Sequence, residues 1–383
     1  MIAVLDDSLL ENPVALADAD TGGLLRSAAT AGAQLRSTAQ AAQEARLEAL
    51  AGSRPRALVL LRRPGSSGHA VELVAALLGP ACPVPVVTAE VAPSWIGPLD
   101  VLVAHTSDPG DRELAESVGH AVRRGAEVVL SAPGEGPIVA AGAGSARLLE
   151  PRVPVPPSLD FPRALAAMLV TVTALGLLKA DLDVLATDLD RELERDHPSH
   201  EPFVNPAKTL ALRLADHTPL LWGTDPVGTA LAGYAAATLA THASVIVHAA
   251  DAGEAARAVA LQRALVSGPS GGADDIFHDP FDDPADGASG ALPAPPRIVL
   301  LSTADVDPHE AVMRRAGRDW PAADVLHPIE EVPVGAPGGA LRRAVLLAAR
   351  FDLAALYLGL AGAVLGSDRG AGPDAAWRLY GPA

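Results

Sequence analysis

Residues 57–79, ALVLLRRPGSSGHAVELVAALLG, decide the fold. Ala57 to Leu61 is a short, continuous apolar run, and Arg62-Arg63-Pro64-Gly65 ends it, so it reads as a buried strand. The turn Pro64-Gly65-Ser66-Ser67-Gly68 follows, and HAVELVAALLG supplies a helix packed back on the strand. Outward from this unit the same rhythm continues. VPVVT (84–88) and DVLVAH (100–105) read as strands, DRELAESVGHAVRR (111–124) as a helix, and AEVVLS (126–131) as a further strand. Alternating strands and helices of these lengths predict a parallel sheet covered on both faces. An apolar helix starting at Pro162-Arg163 closes the unit. Before it, residues 20–50 are alanine-rich and proline-free, with apolar positions three and four apart, and predict an amphipathic N-terminal helix.

The rhythm then repeats. A charged helix (180–197) and the segment HPSHEPFVNP form a crossover. PLLWG (219–223) predicts a strand, Thr224-Asp225-Pro226 a turn and VGTALAGYAAATLATHA a helix. SVIVHA is a strand, AGEAARAVALQRALV a helix and RIVLLS (297–302) a strand. A helix near 308–317, a short strand from Asp324 to His327 and a long helix over 338–366 complete the pattern. The fold class is therefore α/β, with two three-layer α/β/α domains on parallel sheets, an N-terminal helix and a long C-terminal helix. The expected division is 1–54 for the N-terminal helical segment, 55–180 for the first domain, 181–206 for helix and linker, and 207–383 for the second domain. Within that domain, the acidic loop 268–296 is too long to be a mere connector.

Composition excludes several classes of function. The 383 residues suit two domains, and 49% hydrophobic with 20% charged is globular rather than disordered. A net charge of −17 offers no basic stripe for a nucleic acid, so an anionic partner must be small and held by local donors. The single cysteine, Cys82, rules out a disulfide framework and a cysteine zinc site. Ala164 to Leu178 is too short to span a bilayer, which takes roughly 20 apolar residues. Ala344 to Leu365 is interrupted by Arg350 and Asp352, and both stretches read as core helices. The N-terminus has early acids and no basic leader. No membrane partner is expected, and the expected location is the cytoplasm.

In an open parallel sheet the ligand sits beyond the carboxyl ends of the strands, where loop amides and helix N-termini bind anions. Three loops offer hydroxyls there: Gly65-Ser66-Ser67 after the first strand, Thr106-Ser107-Asp108 after a later one, and Ser131 after a third. Together they suit a phosphate dianion without a lysine, although serine, threonine and aspartate also cap helices as a matter of course. No Gly-Lys-Ser/Thr P-loop, GxGxxG fingerprint or GxSxG elbow is present. The aspartates around His278 (Asp274, Asp275, Asp279, Asp282, Asp283, Asp286) lack the glycine and glutamate of an EF-hand and read as a solvated acidic loop. His197 and His200 read as linker histidines. No metal and no cofactor are expected.

At this point the chain resembles the sugar isomerase (SIS) domain family, specifically the bifunctional phosphoglucose/phosphomannose isomerases and their actinobacterial relatives. Arg63-Pro64-Gly65-Ser66 matches the family's first glycine-rich loop. The segment His105 to Asp111 matches its serine/threonine phosphate loop, with Asp108, Pro109 and Gly110 replacing a glycine and a second hydroxyl. Pro162-Arg163 opens the next apolar helix, Asn205-Pro206-Ala207-Lys208 opens the second domain, and FDLAALYLGLA (351–361) is similar to the closing helix. The resemblance spans most of residues 55 to 365, diffusely. It implies a small phosphorylated sugar as ligand and a homodimer.

The family moves a proton between C1 and C2 of an aldose or ketose phosphate through an enediolate. That chemistry needs a carboxylate base, a histidine to open the ring and a cation. The resemblance assigns the cation to Arg163 and the histidine to His278. The base position falls in Ala240-Thr241-His242-Ala243, which holds no carboxylate, and His242 is the available titratable substitute. Loss of a general base costs about 10²- to 10⁴-fold in rate. The expectation is a sugar-phosphate-binding protein with a degenerate catalytic set. The alternatives are an active isomerase using His242, and a structural or regulatory partner with a vestigial cleft.

Overall fold

The computed structural model describes residues 7–267 and 294–365. In the first sheet β1 (Ala57–Leu61), β2 (Val86–Ala89), β3 (Asp100–His105), β4 (Glu127–Ser131) and β5 (Ala146–Leu149) run in the order β2-β1-β3-β4-β5, all parallel. Every residue of β1 and β3 is buried, as expected when helices cover both faces and the strands lose the in–out alternation. In the second sheet β6 (Thr218–Gly223), β7 (His248–Asp251), β8 (Pro296–Leu301) and β9 (Asp324–Leu326) run in the order β7-β6-β8-β9, again parallel. The chain is thus two parallel-sheet α/β domains. Each sheet reverses its winding once, between β1 and β3 in the first and between β6 and β8 in the second. At such switch points the loops part and leave a crevice beyond the strand ends.

The main core lies between the sheets and joins them. Helices Ala31–Glu44, Phe161–Ala174, Leu182–Arg195, Pro226–Ala243 and Gly339–Ala361 contribute to one continuous buried cluster. Gly339–Ala361 is, among the described residues, the one helix long and apolar enough to cross a membrane, and it is buried throughout. It lies close against Pro226–Ala243 at Gly359, where an added Cβ would meet the His242 carbonyl oxygen at 2.0 Å. Where the long helix meets Leu182–Arg195, Arg350 donates to Glu192 at 2.6 Å and to Glu331 at 3.1 Å, so this buried arginine is paired.

Four sequence expectations need correction. The single helix over residues 20–50 is broken into Leu24–Ala28, Ala31–Glu44 and a 3₁₀ turn, Leu47–Leu50. Arg46 takes a left-handed conformation, φ 56°, which turns Leu47 and Leu50 into the core. Two further helices, Asp7–Glu11 and Pro13–Ala19, precede it. The strand expected over SVIVHA begins later, at His248. Ser244 is a left-handed helix cap, φ 55°, and Val245 N donates back to Leu239 O, so Ser244 to Val247 turn the chain instead. The helix expected over 252–266 divides at Ala258. Helix Pro137–Gly142 and strand β5 fill a stretch in which the sequence shows no element.

Candidate functional site

The crevice at the β1/β3 switch point is built from the loops that the strands feed. Gly65, φ 84°, makes the turn from β1 into the helix Ser66–Leu78 in a conformation that side chains rarely adopt. Arg63, just before it, is nearly buried and donates to Asp111 at 2.7 and 2.8 Å and to Glu113 at 2.7 Å. Asp111 also caps the helix Arg112–Arg123 by accepting from Leu114 N at 2.9 Å. The β1 loop and the β3 loop are therefore clamped to each other by charge-assisted bonds, which are stronger and more directional than neutral ones.

The hydroxyls named from the sequence divide into two groups. Ser67 is buried and internal: its Oγ donates to Leu61 O at 3.3 Å and accepts from Arg63 N at 3.3 Å. Thr106 Oγ1 accepts from Asp108 N at 3.1 Å and holds its own loop in shape. Ser131 is paired with His105, whose Nδ1 lies 2.9 Å from Ser131 Oγ, as their adjacent register on β3 and β4 requires. Ser66 and Ser107 are half-buried and face the 157–160 segment. Asp108, which replaces a family residue in this loop, is exposed and accepts from Gly110 N at 2.8 Å.

The residue on which the crevice converges is Asp160. Its Oδ2 lies 3.1 Å from His105 Nε2, accepts a short hydrogen bond from Ser107 Oγ, and stands 3.5 Å from Arg163 Nη2. Arg163 Nη2 also donates to Ser107 Oγ at 3.1 Å. Ser66 Oγ makes a long bond to Pro157 O, 3.4 Å, and is close enough to Asp160 to help stabilise its charge. Asp160 is 3% exposed. Burial pushes its carboxyl up, but the His105 ring and the hydrogen bonds from His105, Ser107 and Ser66 outweigh this and hold it at about 2. Arg163 is likewise nearly buried, so the two opposite charges lie side by side at the start of the helix Phe161–Ala174. Asp160 occupies the N-cap position of that helix, yet its side chain makes no cap hydrogen bond.

The second domain approaches this crevice through the helix Pro226–Ala243. Tyr234 stacks on Phe161 with ring centroids 4.0 Å apart, and its hydroxyl donates to Asp352 at 2.5 Å. His242, in the last turn, is 3% exposed, with Nε2 buried and unpartnered. Burial lowers its pKa, and the Ser158 backbone beside it opposes that fall. The structure thus places His242 beside Ser158, in the turn that leads into the Arg163 helix. His278 lies outside the described residues. At the β6/β8 switch point Asp225 accepts from Gly228 N at 2.8 Å, from Thr303 N at 2.7 Å and from Ala304 N at 3.1 Å. Among the described residues no group of three or more histidines, cysteines or acids is placed to hold a metal ion.

Comparison of the sequence with protein-family models and with curated proteins finds no match. Solved structures do match. A protein from Salmonella typhimurium LT2, described as sugar binding, superposes with a TM-score of 0.54 at 14% identity, covering 88% of this chain and 99% of that one. The C-terminal domain of glucosamine-fructose-6-phosphate aminotransferase from Francisella tularensis gives 0.53 at 10% identity, covering 89% and 95%. Tagatose-6-phosphate ketose/aldose isomerase from Escherichia coli gives 0.53 at 11%, covering 89% and 94%. At these identities the likeness is one of fold, and it runs over both domains. The chain has the double α/β architecture of SIS-fold proteins.

Proposed function

We propose that this chain is a sugar-phosphate-binding protein of SIS type, related to the phosphoglucose/phosphomannose isomerases, that has lost the isomerase base. The observation that carries the reading is the convergence of Ser66, Ser107 and Arg163 at the β1/β3 switch point. Hydroxyls and a guanidinium at strand ends, beside a helix N-terminus, suit a phosphate monoester. Arg163 would pair with the phosphate or an adjacent oxygen of the sugar. The neighbouring helix offers His242 and no carboxylate at the base position; burial lowers the pKa of that imidazole, one side of which meets the Ser158 backbone while Nε2 has no partner, so a carboxylate general base of the isomerase kind is missing. A cytoplasmic homodimer that binds a sugar phosphate without turning it over, in a regulatory role, completes the reading.

Thermal-shift titration with fructose 6-phosphate and glucose 6-phosphate tests it, with unphosphorylated glucose as control. The phosphorylated sugars are expected to stabilise the protein at millimolar levels and glucose is not. A coupled isomerase assay is expected to show no turnover, and turnover abolished by Arg163→Ala would establish an active enzyme instead. One observation favours a second reading, a structural partner with a vestigial cleft: the crevice donors already serve Asp160. Absence of stabilisation by any hexose phosphate would support it.

A further inference from the structure

We infer that Asp160 is an internal competitor for the sugar-phosphate site, and that a phosphate binds by displacing its carboxylate from Ser107, His105 and Arg163. The inference rests on the proposed function and adds a self-occupied state to it. Three observations carry it. First, the groups that suit a phosphate are the groups that Asp160 engages: the Ser107 hydroxyl, the His105 ring at 3.1 Å and the Arg163 guanidinium at 3.5 Å. A carboxylate and a phosphate present similar anionic oxygens to such donors, so the two exclude each other by space and by charge.

Second, Asp160 forgoes the ordinary work of its position. An aspartate at an N-cap normally accepts from the helix amides. Asp225 does this in the second domain, accepting from Gly228 N at 2.8 Å at the start of its own helix. Asp160 instead turns away from a fourteen-residue helix and into the crevice. Pro162 has no amide hydrogen, so swinging back would bring the carboxylate onto the Arg163 amide, giving it a new partner while releasing the site. Third, the segment that carries it is a short 3₁₀ turn, Pro157–Leu159, rather than a strand or long helix, so the displacement disrupts no sheet pairing. Protonation does not do the same job, because the carboxyl is held at about 2.

Full-length wild type, Asp160→Asn and Asp160→Ser are titrated calorimetrically with inorganic phosphate and with fructose 6-phosphate, after circular dichroism has shown each to be folded. The asparagine keeps the shape and loses the charge, and the serine removes the competing group. Both variants are expected to bind both anions at least about tenfold more tightly than wild type, and Ser107→Ala in the serine background is expected to abolish the gain. If wild type binds and neither folded variant binds more tightly, the inference is overturned and the sugar-phosphate reading stands. If none of the three binds either anion, the sugar-phosphate reading fails and takes the inference with it. Should both variants misfold, the His105 ring resonances of wild type decide. A shift of Nε2 on adding phosphate supports displacement of Asp160, and unchanged resonances in a protein that binds phosphate overturn it.

Discussion

Asp352 lies on the long helix Gly339–Ala361, fully buried, with Leu35, Phe161, Leu165 and Val345 around an apolar cavity of about 20 Å³. Its hydrogen bond comes from Tyr234 at 2.5 Å. Burial raises its carboxyl from 3.8 to about 7, the Tyr234 bond offsetting only part of the effect. A folded-state pKa above the unfolded one means that the stability is fully present below about pH 4 and declines as pH rises towards 7. At ~1.4 kcal/mol per pH unit, the full decline is about 4 kcal/mol. Asp196, also raised to about 7 by burial and by the Glu192 charge, adds to the slope. Asp352→Asn keeps the acceptor for Tyr234 and removes the charge. Urea unfolding at pH 5, 6, 7 and 8 is expected to show wild type losing stability across this range, and the asparagine variant losing distinctly less. The variant should be the more stable protein at pH 8. An unchanged slope, or a variant less stable than wild type at pH 8, would refute this linkage.

Arg350→Met is expected to cost ~1–3 kcal/mol, because it leaves the buried Glu192 with only the more exposed Arg195 at 3.3 Å; chemical denaturation reads this directly, and no measurable loss would contradict it. Gly359→Ala gains about 1 kcal/mol of helix propensity, but its methyl would lie 2.0 Å from the His242 carbonyl. Overpacking of ~1–3 kcal/mol is expected to dominate and lower the melting temperature. Arg163→Ala is expected to weaken fructose 6-phosphate by about 10- to 100-fold, the worth of a charge-assisted bond of ~1.5–3 kcal/mol, with isothermal calorimetry as the measure.

The β-α-β rhythm was legible because parallel strands buried on both faces are continuous apolar runs. ALVLL and DVLVAH match β1 and β3 to the residue. Elements whose identity depends on tertiary context were not. Arg46 and Ser244 enter left-handed turns that neither residue type announces, and β5 is a four-residue edge strand without a strong apolar run. In the crevice, Ser66, Ser107 and Arg163 were visible as loop hydroxyls and a helix-opening arginine. Asp160 was missed because an aspartate before Phe161-Pro162-Arg163 is an ordinary capping residue in sequence, and only the turned-away carboxylate distinguishes it. The charge of Asp108 is likewise visible in sequence, but its direction, towards Gly110, is not.

The proposed function requires the loops at the β1/β3 switch point to accept the phosphate of a sugar phosphate. A crystal structure of the protein soaked with glucose 6-phosphate tests it most directly. The expected result is a phosphorus atom within hydrogen-bonding reach of Ser66, Ser107 and Arg163, with the Asp160 carboxylate withdrawn from them. Ligand bound elsewhere, with Asp160 still joined to His105 and Ser107, would contradict it.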